Sequence, residues 1–278
     1  VSVVGVLGDM HGNRDVMVST INRFADTGVT TIIQVGDLGV WPGDQSTTTF
    51  NHVNDTLTTA GIHMLVAPGN HEDYDQIRAL TPNSDGWLEF RDHMWLAPRG
   101  LRTTLHGHSV LWLGGAGSVD RTLRQRMDAV NGTRSWWPAE AITAHEAADA
   151  VAGGRATIMV CHDAPTGVPQ IDARIQSGAQ GQFLASDVVY ATESRTHLTT
   201  VVDQVKPEML LHGHYHFPVD DYREDRDGHT THIVGLDRDS TPGVACLLNL
   251  ATLTVEPLPQ HARTRLPGGE HYGTQYRI

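Results

Sequence analysis

The sequence predicts an α/β fold that gathers a ligand site along one sheet edge, and three observations predict it. Five short polar motifs each follow an apolar run that reads as a β-strand, and helical patterns alternate with those runs. A chain of 278 residues with 39% hydrophobic and 19% charged content can bury a full core as one two-sheet domain. In a wound α/β sheet the carboxyl ends of the strands share one edge, where ligands bind, so the motifs should converge.

The elements follow in order. Residues 3–7 form the first strand and lead into Gly8-Asp9-Met10-His11-Gly12-Asn13; residues 32–35 lead into Gly36-Asp37, and 64–66 into Gly69-Asn70-His71-Glu72. Residues 108–113 are a further strand, followed by Gly114-Gly115-Ala116-Gly117-Ser118-Val119-Asp120-Arg121. That glycine cluster lacks the Lys-Ser/Thr of a P-loop and the spacing of a dinucleotide fingerprint, so it reads as a strand-end turn on the active edge. Residues 158–160 precede His162, and 209–211 precede Gly213-His214-Tyr215-His216. Helices are expected over 16–27, 47–60, 139–151 and 185–205. Residues 166–184 read as a long loop after His162, and 220–241 as a hairpin or excursion. From Glu256 the chain is polar with scattered Pro and Gly, so a domain over 1–255 and an extended or partly disordered tail over 256–278 are expected. The pair Trp136-Trp137 suits a packing anchor better than a base-stacking platform.

What converges is a set of oxygen and nitrogen donors: Asp9, His11, Asp37, Asn70, His71, His162, His214 and His216. Imidazole with carboxylate suits Zn, Fe or Mn, while the absence of clustered cysteine argues against a thiolate zinc site. Eight donors exceed what one catalytic ion uses, since such an ion keeps a position open for water; two ions fit better. Each motif alone is a weak signal, whereas five in order, each with its own strand, are a strong one.

With those residues in place the chain resembles the calcineurin-like metallophosphoesterase superfamily over its first four-fifths, through Gly8-Asp9-x-His11-Gly12, Gly36-Asp37, Gly69-Asn70-His71-Glu72, His162 and Gly213-His214-x-His216. The resemblance implies a four-layer α/β/β/α sandwich of two mixed sheets with a binuclear metal site at the strand C-terminal ends. It implies that Asp9, His11, Asp37 and His216 hold one ion, that Asp37, Asn70, His162 and His214 hold the second, and that His71 contacts substrate without being a ligand. Chemistry agrees: two ions roughly 3.5 to 4 Å apart can lower the pKa of a shared water and clamp a phosphoryl oxygen. A histidine beside the leaving oxygen can protonate it as general acid.

The chain departs from the family pattern after Asp37. Many relatives carry an aspartate three residues later, often followed by Arg-Gly, whose arginine grips phosphate in the Ser/Thr protein phosphatases; here the run is Asp37-Leu38-Gly39-Val40-Trp41-Pro42. Asp73, Asp163 and Asp44 are the candidates for orienting His71 instead. Arg121, Arg124 and Arg126 are candidate substrate-binding residues, although three arginines spaced along a polar stretch fit a solvated face better. His212 is a neighbouring or packing residue of the last motif, and His106-Gly107-His108 mimics that motif but precedes its strand.

A formal charge of −12 argues against an extended nucleic-acid surface, because phosphate-backbone binding needs a basic stripe. No apolar run approaches the roughly 20 residues that span a bilayer, and the start of the sequence feeds directly into the first motif, so neither membrane nor signal peptide is expected. Cys161 and Cys246 make no disulfide framework, which suits a reducing, cytoplasmic setting. The expectation is a phosphoester hydrolase that uses a hydroxide activated by two divalent ions, Mn first and Fe or Zn as options, with His71 as general acid. A phosphodiesterase on small substrates such as cyclic nucleotides is favoured. A phosphomonoesterase acting on proteins or nucleotides is the alternative, with a non-catalytic interaction module or a DNA nuclease behind it.

Overall fold

The chain is described by a computed structural model over residues 2–178 and 183–259. Three strands, β1 (Val3–Leu7), β2 (Thr31–Gln34) and β3 (His63–Val66), lie parallel and side by side in the first sheet. Beyond β3 come β5 (Met94–Leu96), parallel, and β4 (Leu88–Arg91), antiparallel; beyond β1 come β12 (Ala245–Asn249) and β13 (Thr254–Pro257), both antiparallel to their neighbours. The second sheet repeats the plan with β7 (His108–Leu113), β8 (Ile158–Cys161) and β9 (Met209–His212) parallel at its centre. It is flanked by β6 (Leu101–Leu105) on one side and by β11 (Thr230–Gly235) and β10 (Val219–Glu224) on the other.

Alternation along the strands makes the layers, because successive side chains point to opposite faces. Val4 and Val6 of β1, with Ile33 and Val35, face Trp112, Ile158, Val160 and Leu211 of the other sheet and form the inner core. Leu7 and Ile32 point outward, onto Phe24 of α1 (Arg14–Asp26) and Phe50 of α2 (Asp44–Ala60). The second sheet turns Leu111, Met159 and Leu210 outward, onto α5 (Ala144–Ala152) and α7 (Ala185–Val205). The result is the expected four-layer α/β/β/α sandwich of two mixed sheets. The helix packs so closely on β1 that a Cβ at Gly5 would stand 2.7 Å from the Phe24 ring.

Differences from expectation have local causes. The segment 166–184 is not loop throughout: α6 (Pro169–Gly178) lies within it, opened by a proline whose fixed φ suits a first turn and anchored by the fully buried Ile171. The helix expected over 139–151 is split into a 3-10 turn at Pro138–Glu140 and α5, because Thr143 and Glu146 close a capping box that restarts the helix at Ala144. Two further helices were not among those expected: α3 (Tyr74–Ala79), which is short, and α4 (Arg121–Asn131), whose apolar residues Leu123, Met127 and Val130 are spaced as in a helix but lie exposed. The hairpin expected over 220–241 is β10 with β11, and β13 carries paired structure through Pro257, past the start of the expected tail; residues 260–278 lie outside the described residues. His106 and Gly107, both at positive φ, make the two-residue turn between β6 and β7. Trp137 is a buried anchor, donating through Nε1 to Asp75 at 3.1 Å. Among the described residues no helix is long and apolar enough to cross a membrane.

Candidate metal centre

Because β1, β2 and β3 are parallel in one sheet and β7, β8 and β9 in the other, the turns after all six strands can meet at one rim. Tight backbone packing brings them together. Met10 and His11 donate their N–H groups to the Asp37 carbonyl at 2.9 and 2.8 Å, and Gly213 donates to the His162 carbonyl at 3.1 Å. The buried Glu72 ties two turns with one carboxylate, accepting from Gly39 N at 3.0 Å and from Gly69 N. Glycine is required where these turns touch: a Cβ on Gly69 would lie 2.2 Å from Asp37 Oδ1, and one on Gly213 2.1 Å from Asp9 Oδ1.

Two groups of donors result, with ligand atoms in each lying within 4.8 Å of one another: Asp9, His11, Asp37 and His216 in the first, and Asp37, His162 and His214 in the second. Asp37 belongs to both, with Oδ2 3.5 Å from His11 Nε2 and Oδ1 3.3 Å from His162 Nε2. Asn70 joins the second group, its Oδ1 3.0 Å from His162 Nε2. His216 Nε2 stands 3.2 Å from Asp9 Oδ2. The structure thus brings the seven residues that the resemblance names as ligands close together around Asp37. The ring of His162 is fixed from behind, since Nδ1 lies 2.8 Å from the Val35 carbonyl and leaves Nε2 to face the pocket.

The electrostatics suit cations. Asp9 and Asp37 are 0% and 1% exposed. Burial raises the Asp9 carboxyl, whereas at Asp37 the same burial is outweighed by His162, His71 and His11, which hold it well below the usual carboxylate range. Burial disfavours a charge on His162, yet Asp37 and Asp9 lift it to about 10, so the carboxylate pair draws positive charge into the pocket. At His214 burial outweighs the opposing charges of Asp163 and Asp37 and pushes the pKa down to about 4, leaving a neutral, ligand-ready imidazole. A mix of carboxylate, imidazole and amide oxygen fits divalent ions, whose binding displaces the protons held there.

His71 stands beside the groups, its ring 5.8 Å from that of His11. Its backbone is held at both ends: N donates to Asp37 Oδ1 at 2.9 Å, and the carbonyl accepts from Trp41 Nε1 at 2.9 Å. Burial lowers its pKa, with Asp37 opposing and the Arg124 charge adding to the depression. Asp73 caps α3 through Asp75 N and Gln76 N, and Asp163 accepts from Tyr215 Oη at 2.6 Å, so both carboxylates are engaged elsewhere than on His71. Asp44 opens α2. The three arginines part company. Arg121 pairs with Asp187 at 3.0 Å and lies over Tyr190, Arg126 is exposed, and Arg124 is buried with Nη1 3.0 Å from Ser118 Oγ. His212 is buried, with Nδ1 2.9 Å from the Gly213 carbonyl.

Sequence reasoning missed Asp239, Ser118 and Glu140. Asp239 accepts from Asn13 Nδ2 at 2.6 Å and stands 3.8 Å from His11 Nδ1, behind that donor. Ser118 accepts from Asn70 Nδ2 at 2.9 Å and donates to Glu140 Oε2 at 2.8 Å. No spacing links them to the donor motifs, because the fold closes a gap of 226 residues to bring Asp239 to Asn13 and one of 48 to bring Ser118 to Asn70.

Comparison with known proteins places the chain. A crystal structure from Thermus thermophilus superposes with a TM-score of 0.53 at 14% identity, covering 91% of this chain and 96% of that one. A dimetal phosphatase from Danio rerio gives 0.47 at 11% identity, with 89% and 92% covered, and an archaeal phosphodiesterase gives 0.40 at 12%, with 91% and 97% covered. At such identities the first is a likeness of fold, and the scores of the other two are too low to carry an argument. No curated protein matches by sequence. A family model for calcineurin-like phosphoesterases matches residues 2–218, a span that takes in every donor from Asp9 to His216, and the chain therefore belongs to the calcineurin-like phosphoesterase family.

Proposed function

We propose that this chain hydrolyses small phosphodiesters, cyclic nucleotides among them, at a centre of two divalent ions. The observation that carries hydrolysis is Asp37, which both donor groups share. In this reading Asp9, His11, Asp37 and His216 hold one ion and Asp37, Asn70, His162 and His214 the other, with Mn the first choice and Fe or Zn the options. Ions held there would supply an acidified water and Lewis-acid polarisation of a phosphoryl oxygen. His71, fixed through its own backbone by Asp37 and Trp41, gives its proton to the leaving oxygen as that bond breaks. Its ring is then reprotonated from solvent at the open face of the site. Trp41, 41% exposed, offers an apolar wall beside His71 for the organic part of a substrate.

The diester preference rests on charge. Three residues after Asp37 the chain places the fully buried Val40, followed by Trp41, where many relatives place an aspartate followed by an arginine. A dianionic monoester then lacks that clamp, whereas a monoanionic diester needs less compensation. One observation favours a phosphomonoesterase as the second reading: Arg124 is close enough for its charge to be felt at His71.

Metal-loaded protein should be given an aryl diester, the matching monoester, and 2′,3′- and 3′,5′-cyclic nucleotides. A higher kcat/KM on the diester than on the monoester is expected, a ratio that reports transition-state stabilisation. A monoester preference that disappears when Arg121, Arg124 or Arg126 is changed to Ala would overturn the diester reading and identify the clamp.

A further inference from the structure

We propose that Glu140, acting through Ser118, dictates which end of the Asn70 amide faces the metal pocket, and so acts as a positioning residue for the second ion. The inference rests on the reading of Asn70 as a ligand. Its basis is a closed count of hydrogens among buried groups: Asn70, Ser118, Glu140 and Arg124 are 2%, 1%, 0% and 8% exposed.

Ser118 Oγ has one hydrogen to give and two lone pairs to receive. The Glu140 carboxylate can only accept; Oε1 takes the Ser118 backbone N–H at 2.8 Å, and Oε2 takes the Ser118 hydroxyl hydrogen at 2.8 Å. Arg124 can only donate, and Nη1 fills one lone pair at 3.0 Å. The Asn70 atom 2.9 Å away must then be the amide NH2, which turns Oδ1 toward His162 Nε2 and the pocket. An amide is nearly symmetric in shape, so packing alone would not choose between its two ends; the Ser118 network chooses, in the same sense as a proton on His162 Nε2 does in the metal-free chain. It also bridges the sheets, since Asn70 follows β3 and Ser118 follows β7. Arg124, 3.6 Å from Glu140, favours the ionised carboxylate, yet burial still lifts the pKa to about 7, so the accept-only form is the dominant one above pH 7. The side chains of Trp136 and Tyr190 also face Glu140, and neither reverses the count at Ser118.

Glu140→Gln changes shape little and reverses the polarity. The new amide must set its oxygen on the Ser118 N–H, which cannot accept, and its NH2 on Ser118 Oγ. With Arg124 on the other lone pair, the hydroxyl hydrogen turns to Asn70, which presents Oδ1 to Ser118 and a useless NH2 to the pocket. Asn70→Asp in the same protein repairs this, because a carboxylate has an oxygen for both sides. Asn70→Asp alone sets an oxygen against a hydroxyl already committed to Glu140.

The experiment is calorimetric titration of metal-stripped protein with Mn²⁺ at pH 8, with circular dichroism and thermal melts of each stripped variant. Glu140→Gln should weaken one of two binding events roughly 10- to 100-fold and leave the other unchanged. Adding Asn70→Asp should restore the lost affinity, whereas Asn70→Asp in the otherwise native chain should not improve it. Ser118→Ala should weaken the same event and Ser118→Thr should preserve it, a pair that decides the matter if Glu140→Gln does not fold. Native affinity in Glu140→Gln or in Ser118→Ala, or a double variant no better than Glu140→Gln, would overturn the inference. Asn70→Ala separates the two levels: if it leaves both events intact, Asn70 is not a ligand and the reading of the site fails with it. If it abolishes one event while Glu140→Gln and Ser118→Ala do nothing, only the relay fails.

Discussion

His11, Asp37, His214 and His216 all sit at positive φ although none is glycine. Such backbone costs on the order of 1–3 kcal/mol per residue and persists only where the surroundings over-determine it. Here the surroundings are the bonds among the donors themselves, such as His11 N on the Asp37 carbonyl and His214 N on Asp9 Oδ2 at 3.1 Å. Strain in four donors concentrates at the proposed chemistry. His71 differs, since its ring belongs to neither donor group. His71→Ala should therefore keep the fold and both ions while losing roughly 10²- to 10⁴-fold in turnover on an ester with a poor leaving group, and less on a good one. Steady-state rates on two esters that differ only in leaving-group pKa check this, and equal losses on both would remove the general-acid role.

At the scale of elements, each strand end delivers its donor only because a neighbouring turn packs against it without a side chain between them. Gly213, after β9, is the cleanest case: its φ is not in the left-handed region, so the obstacle to alanine is steric, chiefly the 2.1 Å approach to Asp9 Oδ1, with Val35 Cγ2 at 3.3 Å. Gly213→Ala should push the Asp9 carboxylate aside and weaken the ion held by Asp9, His11, Asp37 and His216 by about tenfold or more, with the second ion less affected. Metal titration followed by elemental analysis distinguishes the two sites; unchanged binding of both would show that the turn yields instead. The motif strands were legible because β1, β2, β3, β8 and β9 carry apolar runs flanked by glycine or a donor. Helix α3 was not, since it is six residues long; α4 has Leu123, Met127 and Val130 at helical spacing, but its three arginines made the stretch read as a solvated face, and those apolar residues are indeed exposed.

For the whole molecule, burying so many ionisable groups between two sheets couples folding to pH. In the metal-free chain His162 is raised from 6.5 to about 10 against the burial that would lower it, because Asp37 and Asp9 favour its charge. Its stabilisation is complete below pH 6.5 and is lost as pH rises toward 10. Glu72 and Glu140, raised by burial from 4.5 to about 7, act in the same direction between those values. The melting temperature of chelator-stripped protein should therefore fall from pH 7 to pH 9. Bound divalent ions, which take the place of the His162 proton, should largely remove that fall. Melts at both pH values with chelator and with Mn²⁺ test this, and a stripped protein that gains stability over the same interval would contradict it.

The ordered strand-and-motif pattern already specified the α/β class and the donor residues, because strand periodicity and the chemistry of Asp, His and Asn side chains are local properties. It could not say that α6 would form inside an expected loop, since what anchors that helix is burial of Ile171, a tertiary event. Nor could it find Asp239 behind His11, or choose Arg124 from three arginines on one stretch as the one buried at Ser118. Those assignments depend on which groups share a dry space once two sheets close on each other. Asn70 was visible as a donor, but the end of its amide that faces the pocket follows from Ser118 and Glu140, 48 and 70 residues further along the chain. Hydrogen-bond polarity acts over about 3 Å, and only the folded chain brings those residues that close.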